Sequence, residues 1–340
     1  MQPEGMPPAA ALMQRLTGAW IAQSISVVAK LGTADALADG PRHVSELAAM
    51  ANVHAPSLYR LLRTLASFGI FAEDEDGRFR LTPLADPLRS DAPDSVRAYA
   101  IMLGEEWVWR AWGNALHSVQ TGESAFEYTF GVDPWEYLAA RPEASAIFDA
   151  AMTSRSGRDN DAVAAAYDFS GCERIVDVAG GRGSLLAAIL RAYPALHGTL
   201  FDQPHVAPGA QEYLAAAGLA DRCDVVAGDF FASIPPGADA YLLKRVIHDW
   251  DDERAVRILR HCREAMPPTG RLLVIETVIP PGNGPSIGKV LDLQMLVHQG
   301  GKERTEAEYR ALLTDAGFDL TQVVPTSSAL SLIEGVPQGR

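Results

Sequence analysis

The second half of the chain alternates short apolar runs with helical patterns, and this alternation constrains the fold more than any other feature. From Arg174 the apolar runs are "RIVDVA", "GTLFD", "CDVVAGD", "AYLLKRVI" and "RLLVIETVIP". Four or more strand–helix units in succession predict an α/β fold with a parallel, doubly wound, Rossmann-like sheet. The last two runs, "DLTQVVPT" and "SALSLIEGV", have no helical pattern between them, so they predict an antiparallel hairpin on the sheet's edge.

The first third of the chain follows a different pattern. The segment "HVSELAAMANVHAPSLYRLLRTLASFGIFAEDEDGRFRLTP" predicts a short helix, a turn, a helix striped with leucines and a two-stranded wing. This winged-helix pattern is typical of DNA-binding regulators, but it can also serve as a scaffold for dimer contacts. The net charge of −14 repels phosphate and favours the scaffold. A chain of 340 residues is long enough for these two domains.

Composition limits the compartment and the partners. Three cysteines far apart in the sequence form no CxxC pair, which fits a reducing cytosol and gives no zinc site. The start "MQPEGMPPAA" lacks the pattern of a signal peptide, and no apolar run reaches about 18 residues. We therefore expect a cytoplasmic protein without a membrane or nucleic-acid partner.

A glycine-rich turn joins the first strand of the second half to its helix, in "IVDVAGGRGSLLAAIL". Gly180, Gly181 and Gly183 allow a ligand to approach the backbone, although any parallel sheet also needs tight turns here. The dinucleotide fingerprint would require a third glycine where Leu186 stands, and the Walker pattern is absent. The turn therefore does not predict a pyrophosphate site.

Three carboxylates follow three successive strands and define the ligand better. Asp177 precedes the glycine turn and suits an ammonium or sulfonium group, whereas Asp202 suits the hydroxyls of a ribose. Asp229 suits an adenine amino group, with Phe230 against the ring. A ligand with a ribose, an amine and no phosphate fits this set, and S-adenosylmethionine has these features.

The stretch "LLKRVIHDWDDERA" places His248 near the end of another strand. The residue could be a solvated turn histidine, a metal ligand or a general base. Asp251 and Asp252 are better used as the N-cap and first turn of the next helix, and the other histidines show no ligand spacing. We therefore expect no metal.

Several motifs resemble one family. "DVAGGRG", "FDQPHV", "GDFF", "LLKRVIHDWDDE", "VIETVIP" and "GGKERTEAEYRALLTDAGF" occur in the order and spacing of the small-molecule O-methyltransferases of the caffeate and acetylserotonin type. "GEEW", "AW" and "TGE" resemble the bacterial antibiotic-pathway branch, whose members modify phenazines, mitomycins and similar polycyclic scaffolds. The resemblance implies a winged-helix dimerisation domain over residues 1–100 and a helical connector with a class I methyltransferase domain over 101–340. It also implies a homodimer.

The resemblance assigns residues to the cofactor and to the acceptor. It places Gly180, Asp202, Asp229, Phe230 and Lys244 at S-adenosylmethionine, and the other predicted cofactor-binding residues are Asp177, Gly181, Gly183, Gln203 and Gly228. Met152 and Met295 are expected to sandwich the acceptor ring, because methionine packs well on aromatic faces. The other predicted acceptor residues are Trp107, Phe130, Phe148, His298 and Gln299.

The resemblance also makes His248 the general base, oriented by Glu276 and Glu303. A phenol has a pKa of about 10 and imidazole about 6.5, so proton transfer must accompany methyl transfer. Nitrogen acceptors with a free lone pair need no base, so the histidine favours a hydroxylated aromatic acceptor over N- or C-methylation. One departure from the family is Ala179, where the first glycine of the turn usually stands; we expect a negative φ there.

Overall fold

The computed structural model describes residues 7–339, apart from the side chains at positions 155, 156 and 158. The chain divides into two compact units: one comprises residues up to 110 and 135–155, and the other comprises 111–134 and everything after 155. The predicted domain boundary at residue 100 stays a prediction. Within the described range, no helix has the length and apolarity to cross a membrane.

The first unit is mainly helical and contains the winged helix that the sequence predicts. Its wing is a small antiparallel sheet in the order β1-β3-β2. The leucine-striped helix buries Leu58, Leu62 and Leu65 in one hydrophobic core with Phe71 and Phe79 of the wing. The elements that lie wholly in this unit, or begin in it, are α1 (Pro8–Lys30), α2 (Thr33–Ala36), β1 (Arg42–His43), α3 (Val44–Ala51), α4 (Ala55–Ser67), β2 (Phe71–Glu73), β3 (Arg78–Leu81), α5 (Arg97–Leu103), α6 (Glu106–Gly113) and α10 (Pro142–Ala166).

The second unit is built on a seven-stranded sheet in the order β11-β12-β8-β7-β4-β5-β6. Five neighbouring strands run parallel, from β8 to the edge strand β6, and the last two strands of the chain form the predicted antiparallel hairpin at the other edge. The strands are β4 (Arg174–Val178), β5 (His197–Asp202), β6 (Cys223–Ala227), β7 (Ala240–Lys244), β8 (Arg271–Glu276), β11 (Phe318–Pro325) and β12 (Ser331–Pro337). A separate parallel pair joins β9 (Val278–Ile279) to β10 (Arg304–Thr305).

Helices cover both faces of this sheet, as a doubly wound fold requires. Neighbouring residues of one strand enter opposite cores: Leu242 and Leu273 pack with one set of helices, Tyr241 and Leu272 with the other. The first set includes α11 (Ser184–Ala192) and α12 (Ala207–Ala216), and the second includes α13 (Asp252–Ala265) and α15 (Glu306–Asp315). The remaining helices of the second unit include α7 (Ala115–Thr121), α8 (Ala125–Phe130) and α14 (Ile287–His298), and α9 (Pro134–Ala139) begins at its border.

This topology decides where polar side chains gather. In a parallel sheet the carboxyl ends of the strands share one edge, and ligands bind in the crevice beyond that edge. Asp177, Asp202, Lys244 and Glu276 all lie in the last two positions of β4, β5, β7 and β8. The short β9–β10 pair brings the segment before Arg304 to the same edge.

Candidate active site

His248 lies in a one-turn 3-10 helix, Ile247–Asp249, directly after β7. Arg245, between the strand and this turn, has φ +56° and so reverses the chain out of the sheet. His248 is buried, with 7% of its surface exposed. Its Nδ1 lies 2.8 Å from Oε1 of Glu303 and 3.4 Å from Oε2 of Glu276. The structure therefore places both predicted glutamates at the same nitrogen of the imidazole.

The two glutamates make different contacts. Glu303 makes the hydrogen bond to the ring. Oε1 of Glu276 instead accepts the backbone N–H groups of Val246, Ile247 and His248 at 3.0, 3.1 and 3.3 Å. Three successive backbone N–H groups that donate to one carboxylate oxygen form an anion-binding nest. Glu276 thus fixes the turn, whereas Glu303 fixes the ring.

Asp249 is a site residue that the sequence did not assign to the catalytic set; its position after β7 indicated only a structural role in the turn. Its Oδ1 lies 3.5 Å from Nε2 of His248, on the side opposite the two glutamates, and its side chain is 14% exposed. The adjacency of histidine and aspartate in "IHDW" was the available signal. It was not decisive, because neighbouring residues of a chain usually point in different directions.

The buried carboxylates change the protonation of this cluster. Burial lowers the pKa of His248, but the negative charges of Glu276, Asp249 and Glu303 outweigh that effect and raise it to about 9. Burial raises the pKa of Asp249 to about 6 and that of Glu276 to about 7, while the charge of His248 opposes both shifts. The site therefore stabilises an imidazolium and is a stronger base than free imidazole.

The same three side chains have the dimensions of a metal site. One ligand atom each from His248, Glu276 and Glu303 lie within 4.8 Å of one another. Hydrogen bonds already engage the ring nitrogen with Glu303 and one Glu276 oxygen with three amides. Hydrogen bonding and charge pairing thus account for the arrangement without an ion.

The glycine turn contradicts one prediction from the sequence. Ala179 has φ +56°, not the negative φ that we expected. Its N–H bonds to the carbonyl of Phe201 at 2.7 Å, which extends the β4–β5 ladder by one residue and fixes where the chain must reverse. A non-glycine residue in this left-handed conformation costs about 1–2 kcal/mol. Ala179 therefore carries strain that the family's usual glycine would not.

The rest of the turn has the shape that a ligand cradle requires. A Cβ on Gly180 would lie 2.7 Å from Oδ2 of Asp177, so only glycine allows this approach. Gly181 has φ +59° and nothing within 4 Å of its would-be Cβ, which leaves open space above the turn. Its N–H bonds to Oδ2 of Asp202 at 2.8 Å, and Gly183 follows with φ +84° at the start of α11.

The carboxylates around the turn are held in place by the protein. Asp177 is buried, and burial raises its pKa to about 7, against the lowering charge of Lys244. Burial also raises the pKa of Asp202, whose Oδ1 accepts the N–H of Gln203 at 2.7 Å. These carboxylates are hydrogen-bond acceptors and outnumber the one nearby cation, Lys244, so they fit a cationic ligand rich in hydroxyl and amine donors.

The third strand end contributes a carboxylate and an aromatic face. Asp229 is exposed, and its Oδ1 caps the N–H of Phe231 at 2.8 Å. Gly228 is required for packing, because a Cβ there would lie 2.4 Å from the ring of Phe201. Phe230 is half-buried and packs edge-on against the ring of Trp250, with centroids 6.0 Å apart.

Asn160 is a second residue that the sequence analysis missed. It is 3% exposed, and its Oδ1 accepts a hydrogen bond from Nζ of Lys244. Its Nδ2 donates to Oγ of Ser184 at 2.9 Å, at the first position of α11. One asparagine on α10 thus connects the end of β7 to the helix that follows the glycine turn. Nothing in the sequence near Asn160 indicates this role, because its partners are 24 and 84 residues away.

The predicted acceptor residues are divided between the two units. In the second unit Met295 and His298 are buried one turn apart on α14, and the ring of Phe126 lies 5.5 Å from His298 and 4.6 Å from Phe130. Gln299 follows α14, and its Oε1 is buried with no hydrogen-bond partner within residues 7–339.

The other three predicted acceptor residues lie in the first unit. Trp107 is buried beside Tyr137, with ring centroids 6.5 Å apart. Phe148 packs edge-on against Trp135 at 5.8 Å, and Met152 is half-buried on α10. The aromatic residues of this unit thus contact each other, as ordinary core residues also do.

Comparison with known proteins identifies the family. A family model for the O-methyltransferase domain matches residues 109–319, and a model for the O-methyltransferase dimerisation domain matches residues 13–91. The chain belongs to the O-methyltransferase family. It is an S-adenosylmethionine-dependent O-methyltransferase of the acetylserotonin and caffeate type, as the sequence motifs predicted.

Three relatives of this O-methyltransferase illustrate the range of acceptors in the family. Phenazine O-methyltransferase PhzM of Lysobacter antibioticus is 50% identical over 332 residues, which cover 98% of this chain and 97% of the relative. The 8-amino-8-demethylriboflavin N,N-dimethyltransferase of Streptomyces davaonensis is 40% identical, with coverage of 92% and 91%. The crystal structure of NcsB1, an O-methyltransferase from neocarzinostatin biosynthesis, contains S-adenosylmethionine and 2-hydroxy-5-methyl naphthoic acid. NcsB1 is 38% identical to this chain. The match covers 93% of this chain and 95% of the NcsB1 chain, and the two structures superpose with a TM-score of 0.82.

Proposed function

We propose that this O-methyltransferase methylates a hydroxyl group of a polycyclic aromatic metabolite and that His248 is its general base. The observation that carries the proposal is the hydrogen bond between the imidazole of His248 and the carboxylate of Glu303. Nδ1 is engaged by Glu303 at 2.8 Å, so the lone pair of the neutral ring is on Nε2. Nε2 is therefore the atom that receives the acceptor's proton.

The residues at the strand ends fit the cofactor. We assign Asp177, Gly180, Gly181 and Gly183 to its amino acid end, Asp202 and Gln203 to its ribose, and Gly228, Asp229 and Phe230 to its base, with Lys244 at its polar edge. S-adenosylmethionine, when bound there, supplies a methyl group on a positively charged sulfur. The chain's own contribution is to orient the acceptor and to move one proton.

The electrostatics of the cluster suit that proton transfer. Glu303, Glu276 and Asp249 raise the pKa of His248 to about 9, close to the value of about 10 for a phenol. Transfer from phenol to Nε2 is then uphill by about 1 unit, or roughly 1.4 kcal/mol, instead of about 3.5 units for unperturbed imidazole. The matching pKa values make His248 an effective base once it has lost its own proton.

The direct test replaces the base. His248→Gln is expected to bind S-adenosylmethionine at least as tightly as wild type while losing about 10²–10⁴-fold in the rate of methyl transfer to a phenol. The matched control is His197→Gln, at an exposed position at the start of β5, which should behave as wild type. An unchanged rate in His248→Gln, with the same pH dependence between pH 6 and 9, would reject the base role.

The acceptor class rests on the base and on the aromatic residues of the second unit. A hydroxyl must lose a proton to become a good nucleophile, whereas an amine with a free lone pair need not, so a positioned base favours oxygen. Within the second unit we assign Met295, Phe130, His298 and Gln299 to the acceptor ring, whereas the roles of Met152, Trp107 and Phe148 stay predictions from the sequence. Oε1 of Gln299 is buried and has no hydrogen-bond partner among the described residues, so it suits a ring N–H or a second hydroxyl.

A screen of hydroxyphenazines, hydroxyquinones and simple phenols, with matched amines, decides the acceptor class. Transfer is read by mass, and the oxygen assignment requires turnover on at least one hydroxyl compound and none on the amine series. Exclusive transfer to amines would support the N-methylating alternative. A chelator added to the same assay should leave the rate unchanged, and a loss that Mg²⁺ or Zn²⁺ restores would show that the His248 cluster holds a metal.

We also propose that the protein acts as a homodimer. Helix α1 exposes an apolar stripe at helical spacing: Leu12 is 58% exposed, Leu16 61% and Trp20 71%. A stripe of this kind on the segment that matches a dimerisation domain needs a covering surface. Sedimentation at micromolar concentration should give a dimer, and a monomer at that concentration would remove the proposal.

A further inference from the structure

The segment that carries His248, residues 246–250, is here called the catalytic turn. Hydrogen bonds hold both its N–H groups and its carbonyl groups. Glu276 receives its N–H groups, as described above. The carbonyl groups on the other end are those of Ile247 and Trp250, and both accept hydrogen bonds from Arg304, at 3.1 and 2.9 Å. We propose that Arg304 is a positioning residue that holds His248 in register for proton transfer. This inference rests on the proposed base role of His248.

Arg304 is built into the site rather than lying on its surface. It is fully buried, with 0% of its surface exposed. Nε and Nη2 donate to Oδ1 of Asp252 at 3.0 and 2.8 Å, and Nη1 also donates to the carbonyl of Lys302 at 3.2 Å. The ion pair with Asp252 compensates the buried charge, so the guanidinium can be kept there for its geometry.

The planar fork of arginine is what this geometry uses. Three nitrogens in one plane contact the carbonyl of Ile247, the carbonyl of Trp250 and the carboxylate of Asp252 at the same time. A lysine has one ammonium group and cannot span these three acceptors in fixed directions. Arg304 thus joins the residue before His248, the residue after Asp249 and the start of α13.

The segment that carries Arg304 also touches the turn directly. A Cβ on Gly301 would lie 2.1 Å from the carbonyl oxygen of His248 and 2.5 Å from the carbonyl carbon of Asp249. The backbone at Gly301 and the backbone at His248 and Asp249 are therefore in close contact, and no side chain fits between them. Glu303, which bonds to the imidazole, is the neighbour of Arg304 in sequence. Movement of Arg304 would displace both the base and its partner.

The test variant is Arg304→Lys, and the matched control is Arg310→Lys. Arg310 is an exposed arginine on α15 whose Nη2 bonds to Glu306 at 2.9 Å, outside the cluster. In Arg304→Lys we expect kcat to fall by about 100-fold, because displacements near 1 Å have effects of that size. The Kd of S-adenosylmethionine should stay within about twofold of wild type with one site per chain, and Arg310→Lys should match wild type in both.

A double-mutant comparison separates positioning from a general effect on folding. If Arg304 acts through His248, Arg304→Lys should lower the residual rate of His248→Gln by less than threefold. An equal loss in both backgrounds, or a kcat of Arg304→Lys within twofold of wild type, would overturn the proposal.

A second variant, Asp252→Asn, serves if Arg304→Lys does not fold. It loosens the same guanidinium from an exposed position and should lower kcat by about 3- to 10-fold, and an unchanged kcat would also overturn the proposal. Full activity in His248→Gln would instead reject the base role itself, which is a different result.

Discussion

Removal of one negative charge from the histidine cluster should shift the pH dependence of methyl transfer by a predictable amount. Glu303→Gln keeps a hydrogen-bond acceptor 2.8 Å from Nδ1 of His248 but removes the carboxylate charge. An opposite charge at this distance raises the pKa of an imidazole by about 1–3 units, and each unit corresponds to 1.36 kcal/mol. The pKa of His248 should therefore fall from about 9 to roughly 6–8.

The direction of the effect on the rate follows from which form of the ring is active. Only neutral imidazole can accept a proton, so the rate should rise with pH through the pKa of His248 and then level off. Glu303→Gln should reach its plateau at lower pH, because its imidazolium is less stabilised. The plateau itself should be roughly 10-fold lower, because a base of lower pKa accepts a phenol's proton less readily.

The measurement is single-turnover methyl transfer from pH 5.5 to 10 at constant ionic strength, with both substrates saturating and the product read by mass. The acceptor's own ionisation is the same for both enzymes, so a difference between the two profiles belongs to the protein. Coincident inflections, or an inflection at higher pH in Glu303→Gln, would refute the electrostatic reasoning even if His248 remained essential.

Three further substitutions test single contacts. Ala179→Gly should stabilise the protein by at most about 1 kcal/mol in thermal unfolding, because it relieves a positive φ; a destabilised variant would show that the strain is absent. Gly301→Ala should lower kcat by 100-fold or more while S-adenosylmethionine still binds, and normal turnover would show that the close contact with the catalytic turn is not needed. Asn160→Ala should weaken S-adenosylmethionine binding about 10-fold in calorimetry, because the link between β7 and α11 is lost, whereas Asp161→Ala, at an exposed position, should not.

Some parts of the site are predicted by topology and others by the family resemblance. A parallel sheet brings the ends of its strands to one edge, so Asp177, Asp202 and Asp229 could be placed together from the strand pattern, whereas the roles of Glu276 and Glu303 came from the resemblance. The closing hairpin was predictable for a similar reason, because two adjacent strands without a helix between them must run antiparallel.

The parts that the sequence did not predict depend on contacts between distant segments. The bonds from Arg304 to the catalytic turn join residues 54 and 57 positions apart, and no local pattern marks that arginine. The positive φ of Ala179 depends on a backbone bond to the neighbouring strand. The division of roles between Glu276 and Glu303 depends on which carboxylate oxygen meets the backbone, a detail that only the folded structure contains.

The histidine cluster also predicts a difference between the cofactor and its product. If the positively charged sulfur binds near His248, it disfavours the imidazolium, and by linkage deprotonation of His248 must favour binding of the cation. S-adenosylmethionine should then bind several-fold more tightly at pH 9.5 than at pH 7, across the pKa of about 9. S-adenosylhomocysteine carries a neutral thioether and lacks the methyl group but is otherwise the same ligand, so the pH dependence of the ratio of the two dissociation constants isolates the sulfur's charge.

Calorimetric titrations of both ligands at several pH values, in wild type and in His248→Gln, measure this coupling directly. The ratio should change with pH near 9 in wild type, and this step should be absent in the variant, which has no imidazole and keeps only the titrations of Glu276 and Asp249. Identical pH profiles of the ratio in wild type and variant would mean that the sulfur binds too far from the histidine to interact with it. The proposed base could not then act on an acceptor that the same sulfur methylates, because acceptor oxygen, methyl carbon and proton acceptor must lie within a few ångströms of each other.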